Sequence, residues 1–74
     1  MSFHTISVVG LGYIGLPTAA MFASKGIRVI GVDVNSYAVD TINAGNIHIV
    51  EPDLAEIVSQ AVKKRLLRAT VCPE

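Results

Sequence analysis

The sequence Gly10-Leu11-Gly12-Tyr13-Ile14-Gly15 lies between an apolar strand-like run, Thr5 to Val9, and the apolar helix-like run that follows. Glycines at this GxGxxG spacing are typical of the turn between the first strand and the first helix of a βαβ unit that binds a dinucleotide. Gly10 permits the tight turn, Gly12 lets the backbone approach a pyrophosphate, and Gly15 lets the helix lie close to the sheet. The motif therefore predicts a phosphate-binding loop.

A second strand-like run, Arg28 to Asp33, ends in an acid 18 residues after Gly15. An acid about 20 residues after the glycines binds a ribose hydroxyl in such units. We therefore predict that Asp33 contacts the ribose, while the backbone N–H groups near Tyr13 and Ile14 face the phosphates at the helix N-terminus. The alternative is that Asp33 is only a turn residue or helix cap. Its register with the glycines favours ribose binding.

Apolar periodicity predicts an α/β chain with the element order β-α-β-α-α-β. The predicted strands are 5–9, 28–33 and 68–72, and the predicted helices are 13–25, the stretch from Asn35 to Gly45, and a segment that starts at Leu54. Right-handed crossovers place the strands in the order 3-2-1, the N-terminal half of a Rossmann doubly wound parallel sheet. The first strand is expected to have an open edge, where a fourth strand normally pairs.

Helix-end signals support these bounds. Pro17 falls in the first helical turn, where its missing N–H would have no partner, and Gly26 is a natural end for that helix. Asn35 is predicted to cap the second helix. Asp53 and Glu56 have the spacing of a capping box for the third.

Composition restricts the partners. Six basic and six acidic residues give a net charge of zero, which argues against nucleic acid and an anionic membrane surface as partners. The apolar stretches are shorter than the roughly 20 residues that span a bilayer. The run Lys63 to Arg65 is interpreted as the dipole-complementing end of a helix. One cysteine and the lack of a signal-peptide pattern predict a cytoplasmic protein without an internal disulfide.

Few other side chains suggest chemistry. Cys72 is predicted to be a core thiol, because no His, acid or helix N-terminus is predicted near it. His48 is interpreted as a structural or polar surface residue and His4 as a surface residue, and neither has the spacing of a metal site. Glu51, which precedes Pro52, belongs either to a cofactor or domain interface or to a solvated segment; both interpretations stay open.

Several segments resemble the UDP-glucose/GDP-mannose dehydrogenase family of nucleotide-sugar 6-dehydrogenases. The resemblance covers nearly the whole chain and is carried by Gly10 to Pro17, Gly31 to Asn35, Ile42 to Gly45, and Ile49 to Pro52. Within the family, Ile47 to Leu54 looks most like the bacterial members that act on UDP-N-acetyl-D-mannosamine. Residues 1–74 would then be the N-terminal part of an NAD-binding Rossmann domain, with the remainder of the enzyme outside this sequence.

The resemblance implies an NAD-dependent oxidation of a UDP-sugar at C6, from alcohol to carboxylate, with two NAD+ reduced per turnover. In the mannosamine branch the product is UDP-N-acetyl-D-mannosaminuronate, used for bacterial surface polysaccharide such as enterobacterial common antigen. A homodimer is implied for the full-length enzyme. The family's nucleophile is a cysteine in a Gly-Gly-His-Cys context, which these 74 residues lack. We therefore predict no catalytic residue here, no activity, and weak or absent NAD binding by the fragment alone.

Other functions remain as alternatives. One is a non-catalytic dinucleotide-sensing or interaction module, and another is a relative of the UDP-glucose 6-dehydrogenase type. NADP is disfavoured, because Asp33 would repel its 2′-phosphate and residues 34–38 contain no Arg or Lys. Many family members have Lys or Arg five residues after the acid, where this chain has Ala38. A flavin cofactor is disfavoured only by the family resemblance.

Overall fold

A computed structural model describes residues 5–72 and contains three strands and three helices among them. In chain order they are β1 (Thr5–Val9), α1 (Gly15–Ser24), β2 (Arg28–Val32), α2 (Ser36–Asn43), α3 (Leu54–Lys63) and β3 (Leu67–Thr70). This order confirms the predicted α/β class and the β-α-β-α-α-β sequence of elements.

The strands form one parallel sheet with β2 in the middle. Ile6 of β1 lies beside Val29 of β2, and Gly31 of β2 lies beside Ala69 of β3. Read from β1, the strand order is 1-2-3. The predicted order 3-2-1 describes the same neighbours from the other edge.

One face of the sheet packs against the helices. Val29, Leu67 and Ala69 are buried in a single cluster with side chains from all three helices, including Leu16, Ile42 and Val58. Side chains alternate between the faces of a strand, and Thr5, Ser7 and Val9 on the opposite face of β1 are exposed. The hydrophobic core therefore lies between the sheet and one helical layer.

Several element ends differ from the predicted ones, and two of them bear on candidate residues. Helix α1 begins at Gly15 rather than at residue 13, because Tyr13 and Ile14 belong to the turn that precedes it. Strand β3 covers Leu67–Thr70, so Cys72 lies beyond it. The prediction of a core thiol is wrong, since Cys72 is exposed and its N–H donates to the Thr70 hydroxyl at 3.3 Å.

One of the two predicted helix caps is observed. The Asn35 side-chain oxygen accepts from Tyr37 N at 3.0 Å and Ala38 N at 3.3 Å, which confirms it as the cap of α2. The predicted capping box of α3 is wrong. Asp53 has a left-handed backbone (φ 65°) and makes no side-chain cap, because an N-cap needs an extended backbone to turn its oxygen toward the helix. The Glu51 carbonyl accepts from Leu54 N instead, at 3.3 Å.

The outer edge of β3 is occupied by a side chain. The Asn43 amide donates to Ala69 O at 2.9 Å, and its oxygen accepts from Ala69 N at 2.8 Å. These two residues are 26 positions apart, so no local pattern predicts the contact. Asn43 thereby fastens the end of α2 to the sheet.

Asn43→Ala is expected to lower the free energy of unfolding by about 1–2 kcal/mol, because two hydrogen bonds to one backbone residue are lost. Urea denaturation provides the measurement. Asn46→Ala, at an exposed position just beyond α2, is the matched control. Equal losses for the two variants would contradict the stabilising role of the Asn43 contact.

Candidate functional site

The glycine-rich loop and Asp33 meet at the carboxyl end of the sheet. The loop follows β1 and Asp33 follows β2, and parallel strands end at the same edge. Gly10 N donates to Val32 O at 2.7 Å, which joins the start of the loop to the end of β2. Gly10 turns the chain with a φ of 87°, a conformation that favours glycine.

Leu11 attaches the loop to the sheet. Its side chain is fully buried, and a Cβ added to Gly31 would lie 2.7 Å from Leu11 Cδ2. Gly31 of the central strand therefore provides the space in which Leu11 packs. Neither residue is among the predicted site residues, although a glycine inside a strand indicates such close approach.

Gly12 and Gly15 serve different purposes. A Cβ at Gly15 would overlap the carbonyl oxygen of Gly10, so this glycine is required by the protein's own packing. A Cβ at Gly12 would meet no atom within 4 Å, so its exposed backbone faces open space. That open approach fits the role predicted for Gly12, a backbone that a pyrophosphate can reach closely.

No side chain caps the first turn of α1. The N-cap position is Ile14, whose side chain has no hydrogen-bonding group, and the turn contains no acid. Helix N-termini carry partial positive charge and N–H groups without helical partners. Tyr13 and Ile14 are both exposed beside this turn. The geometry suits the predicted phosphate contacts, which remain a prediction for these residues.

Asp33 joins the two segments of the site. Its Oδ2 accepts from Leu11 N at 2.8 Å, and its Oδ1 accepts from Asn35 N at 2.9 Å. The N–H of Leu11, then that of Asn35, and a smaller effect of the charge of His48 together hold the pKa of Asp33 below its ordinary value. The Asn35 contact gives Asp33 the turn role that was weighed against ribose binding. Ribose binding stays a prediction, and the half-buried carboxylate is ionised and available for it.

The remaining candidates do not form a second site among residues 5–72. His48 is half-buried, and its Nδ1 has no hydrogen-bond partner in this range. The side chain of Glu51 is exposed. His4 lies outside the described residues. Within the described range, no helix is both long and apolar enough to span a membrane.

Comparison with known proteins assigns the fold to a family. Residues 4–73 match the pattern described as "UDP-glucose/GDP-mannose dehydrogenase family, NAD binding domain". The chain belongs to this family. The cofactor of the domain is accordingly NAD, as predicted from the sequence.

Individual members of the family are similar along the whole chain. The UDP-N-acetyl-D-mannosamine dehydrogenase of Escherichia coli K12 is 68% identical over 73 residues, which cover 99% of this chain and 17% of that protein. The NDP-N-acetyl-D-galactosaminuronic acid dehydrogenase of Ralstonia nicotianae is 65% identical over 74 residues, covering 100% and 18%. The solved UDP-N-acetyl-mannosamine dehydrogenase of Staphylococcus aureus superposes with a TM-score of 0.91 at 44% identity, covering 95% and 17%. The chain thus spans about one sixth of the length of these family members.

Gly12→Ala is expected to leave the free energy of unfolding within about 0.5 kcal/mol of the parent, because the added methyl group meets no protein atom. The same methyl group enters the space predicted for the pyrophosphate, so NAD affinity should fall roughly tenfold. Titration of the protein extended to the length of its relatives measures the NAD affinity. Unchanged NAD affinity in Gly12→Ala would contradict the assignment of Gly12.

Gly31→Ala should instead lower the free energy of unfolding by about 1–3 kcal/mol, because the added methyl group overlaps with Leu11.

Acid should remove the stabilisation that Asp33 provides. A carboxyl whose pKa is lowered by folding stabilises above its unfolded pKa, about 3.9, and this contribution is lost as pH falls through the lower folded value. The difference in unfolding free energy between the parent and Asp33→Asn should therefore shrink from about pH 6 to about pH 3. Asp40→Asn, which removes an exposed carboxylate from α2, provides the baseline. A difference that is constant over this range would contradict the hydrogen-bonded state of Asp33.

Proposed function

We propose that this chain is the cofactor-binding N-terminal part of an NAD-dependent nucleotide-sugar 6-dehydrogenase. The observation that carries the proposal is the arrangement at the carboxyl end of the sheet. There the backbone of Gly12 is open to a pyrophosphate, and the ionised Asp33 lies next to the same loop. Family membership over residues 4–73 supports the same function.

The proposed binding roles follow the geometry. Gly10, Gly12 and Gly15 shape the loop, the N–H groups at Tyr13 and Ile14 face the phosphates, and Asp33 accepts hydroxyl groups of the adenosine ribose. When bound, NAD supplies the hydride acceptor for oxidation of the sugar. The contribution of this chain is to bind and orient the cofactor, since its one cysteine, Cys72, lacks the Gly-Gly-His-Cys context of the family's nucleophile.

The proposed substrate is UDP-N-acetyl-D-mannosamine, oxidised to UDP-N-acetyl-D-mannosaminuronate with two NAD+ per sugar. It is supported by the 68% identity to the Escherichia coli dehydrogenase for this sugar. A nucleoside-diphosphate-activated N-acetyl-galactosamine is a second candidate, because the Ralstonia nicotianae relative is nearly as similar, at 65%. Either uronic acid would serve a bacterial surface polysaccharide. We further propose that the whole protein is a homodimer, as the family resemblance implies, and that it is cytoplasmic.

The proposal predicts NADH formation by the protein extended to the length of its relatives. UDP-N-acetyl-D-mannosamine should give two NADH per sugar, measured by absorbance, and should be used in preference to the UDP forms of N-acetyl-galactosamine and glucose. NADP should replace NAD poorly, because the Asp33 carboxylate repels a 2′-phosphate. The 74-residue chain should give no NADH under the same conditions.

Each of these expected results has an outcome that would contradict the proposal. Turnover by the 74-residue chain would place catalysis within it and overturn the proposed division of roles. Preference for NADP over NAD would overturn the role of Asp33. Failure of all three sugars to support NADH formation would favour the non-catalytic binding module instead.

A further inference from the structure

The hydrogen bond between Asp33 and Leu11 joins the predicted ribose site to the predicted phosphate site. Asp33 Oδ2 lies 2.8 Å from Leu11 N, which is inside the glycine-rich loop and 22 residues away in sequence. The second carboxylate oxygen, Oδ1, is fixed by Asn35 N at 2.9 Å. The carboxylate is thus held on both oxygens by backbone N–H groups, one from each segment of the site.

We propose that Asp33 is a positioning residue for the phosphate-binding loop, in addition to any contact with ribose. Its carboxylate holds the Leu11 N–H and thereby fixes the conformation of residues 10–15 that receives a pyrophosphate. The inference rests on the proposed function for the identity of the ligand. The same side chain then serves both the phosphate-binding loop and the ribose.

The other contacts of the loop make Asp33 the element that sets its orientation. Gly10 is held by Val32 O, and the Leu11 side chain is buried over Gly31. These two contacts fix where the loop begins and how deep it lies. Neither contact involves Leu11 N, and its hydrogen bond to Asp33 fixes the direction of the peptide between Gly10 and Leu11. That peptide immediately precedes Gly12, whose backbone is the surface open to ligand.

Both functions are compatible on one carboxylate. Each carboxylate oxygen has a second lone pair after it accepts one N–H, so ribose hydroxyls can bind without displacing Leu11 or Asn35. A neutral amide at this position keeps one acceptor and presents an NH2 group to the other N–H. Asp33→Asn must therefore lose one of the two backbone contacts, and Asp33→Ala loses both.

Two fragments of the dinucleotide separate the roles. Inorganic pyrophosphate probes the loop alone, and adenosine probes the ribose contact alone. If Asp33 positions the loop, Asp33→Ala, which loses both backbone contacts, should weaken the binding of both fragments, with pyrophosphate binding reduced roughly tenfold, the effect of one charge-assisted hydrogen bond. Titration of the protein extended to the length of its relatives, unsubstituted or carrying Asp33→Ala or Asp40→Asn, measures each affinity. Asp40→Asn, on exposed α2 surface, is the control for the lost negative charge.

Charge alone predicts the opposite sign for pyrophosphate. Removing a carboxylate reduces repulsion of an anion, so a purely ribose-binding Asp33 would give Asp33→Ala equal or tighter pyrophosphate binding and weaker adenosine binding. That result would overturn the inference. Asp40→Asn should change neither fragment by more than about twofold at moderate salt, because exposed charges are screened.

A measurement on the unsubstituted chain keeps the inference testable if Asp33→Ala unfolds. The Leu11 amide signal should follow the Asp33 carboxyl carbon as acid is added, rather than the ring carbons of His48, the titratable group whose charge acts on Asp33. The Leu11 amide should also exchange slowly with solvent. A Leu11 amide that exchanges freely and ignores Asp33 would overturn this inference alone. An extended protein that binds neither fragment, with Leu11 still coupled to Asp33, would instead overturn the proposed function.

Discussion

The hydrogen bond from Leu11 N–H to the Asp33 carboxylate is the constraint on which the site depends. It crosses from the loop after β1 to the segment after β2. The buried Leu11 side chain is the apolar counterpart of that contact, because it packs over Gly31 of the central strand. Loop and sheet are therefore fixed to each other by one polar and one apolar contact of the same residue. The predicted ligand contacts are consequences of that attachment.

Much of this arrangement follows from local sequence. The glycine spacing, the β-branched strands and the Asn35 cap each depend on residues a few positions apart, and these predictions are confirmed for the order of elements and the cap of α2. The contacts that escaped prediction are of another kind. Asn43 reaches Ala69 across 26 positions, and Leu11 meets Gly31 only once the sheet has formed. Such partners are set by topology, which spacing does not encode.

The wrong predictions have local causes. The spacing of Asp53 and Glu56 is that of a capping box, but the chain enters α3 through a left-handed residue, and spacing carries no information on φ. Cys72 was assigned to a buried strand whose end lies two residues earlier, at Thr70. Similarity over this chain also carries little information about the sugar, since relatives named for two different sugars are 68% and 65% identical to it.

The Asn43 contact also bears on how the sheet can grow. One N–H of the Asn43 carboxamide and its carbonyl oxygen pair with Ala69 in the way that a peptide group would. At Ala69 the side chain therefore imitates a single residue of a neighbouring strand. The outer edge of β1, on the opposite side of β2, pairs with no strand among residues 5–72. A further strand would therefore find its pairing positions at β1, the strand that precedes the glycine-rich loop, and would be blocked at Ala69.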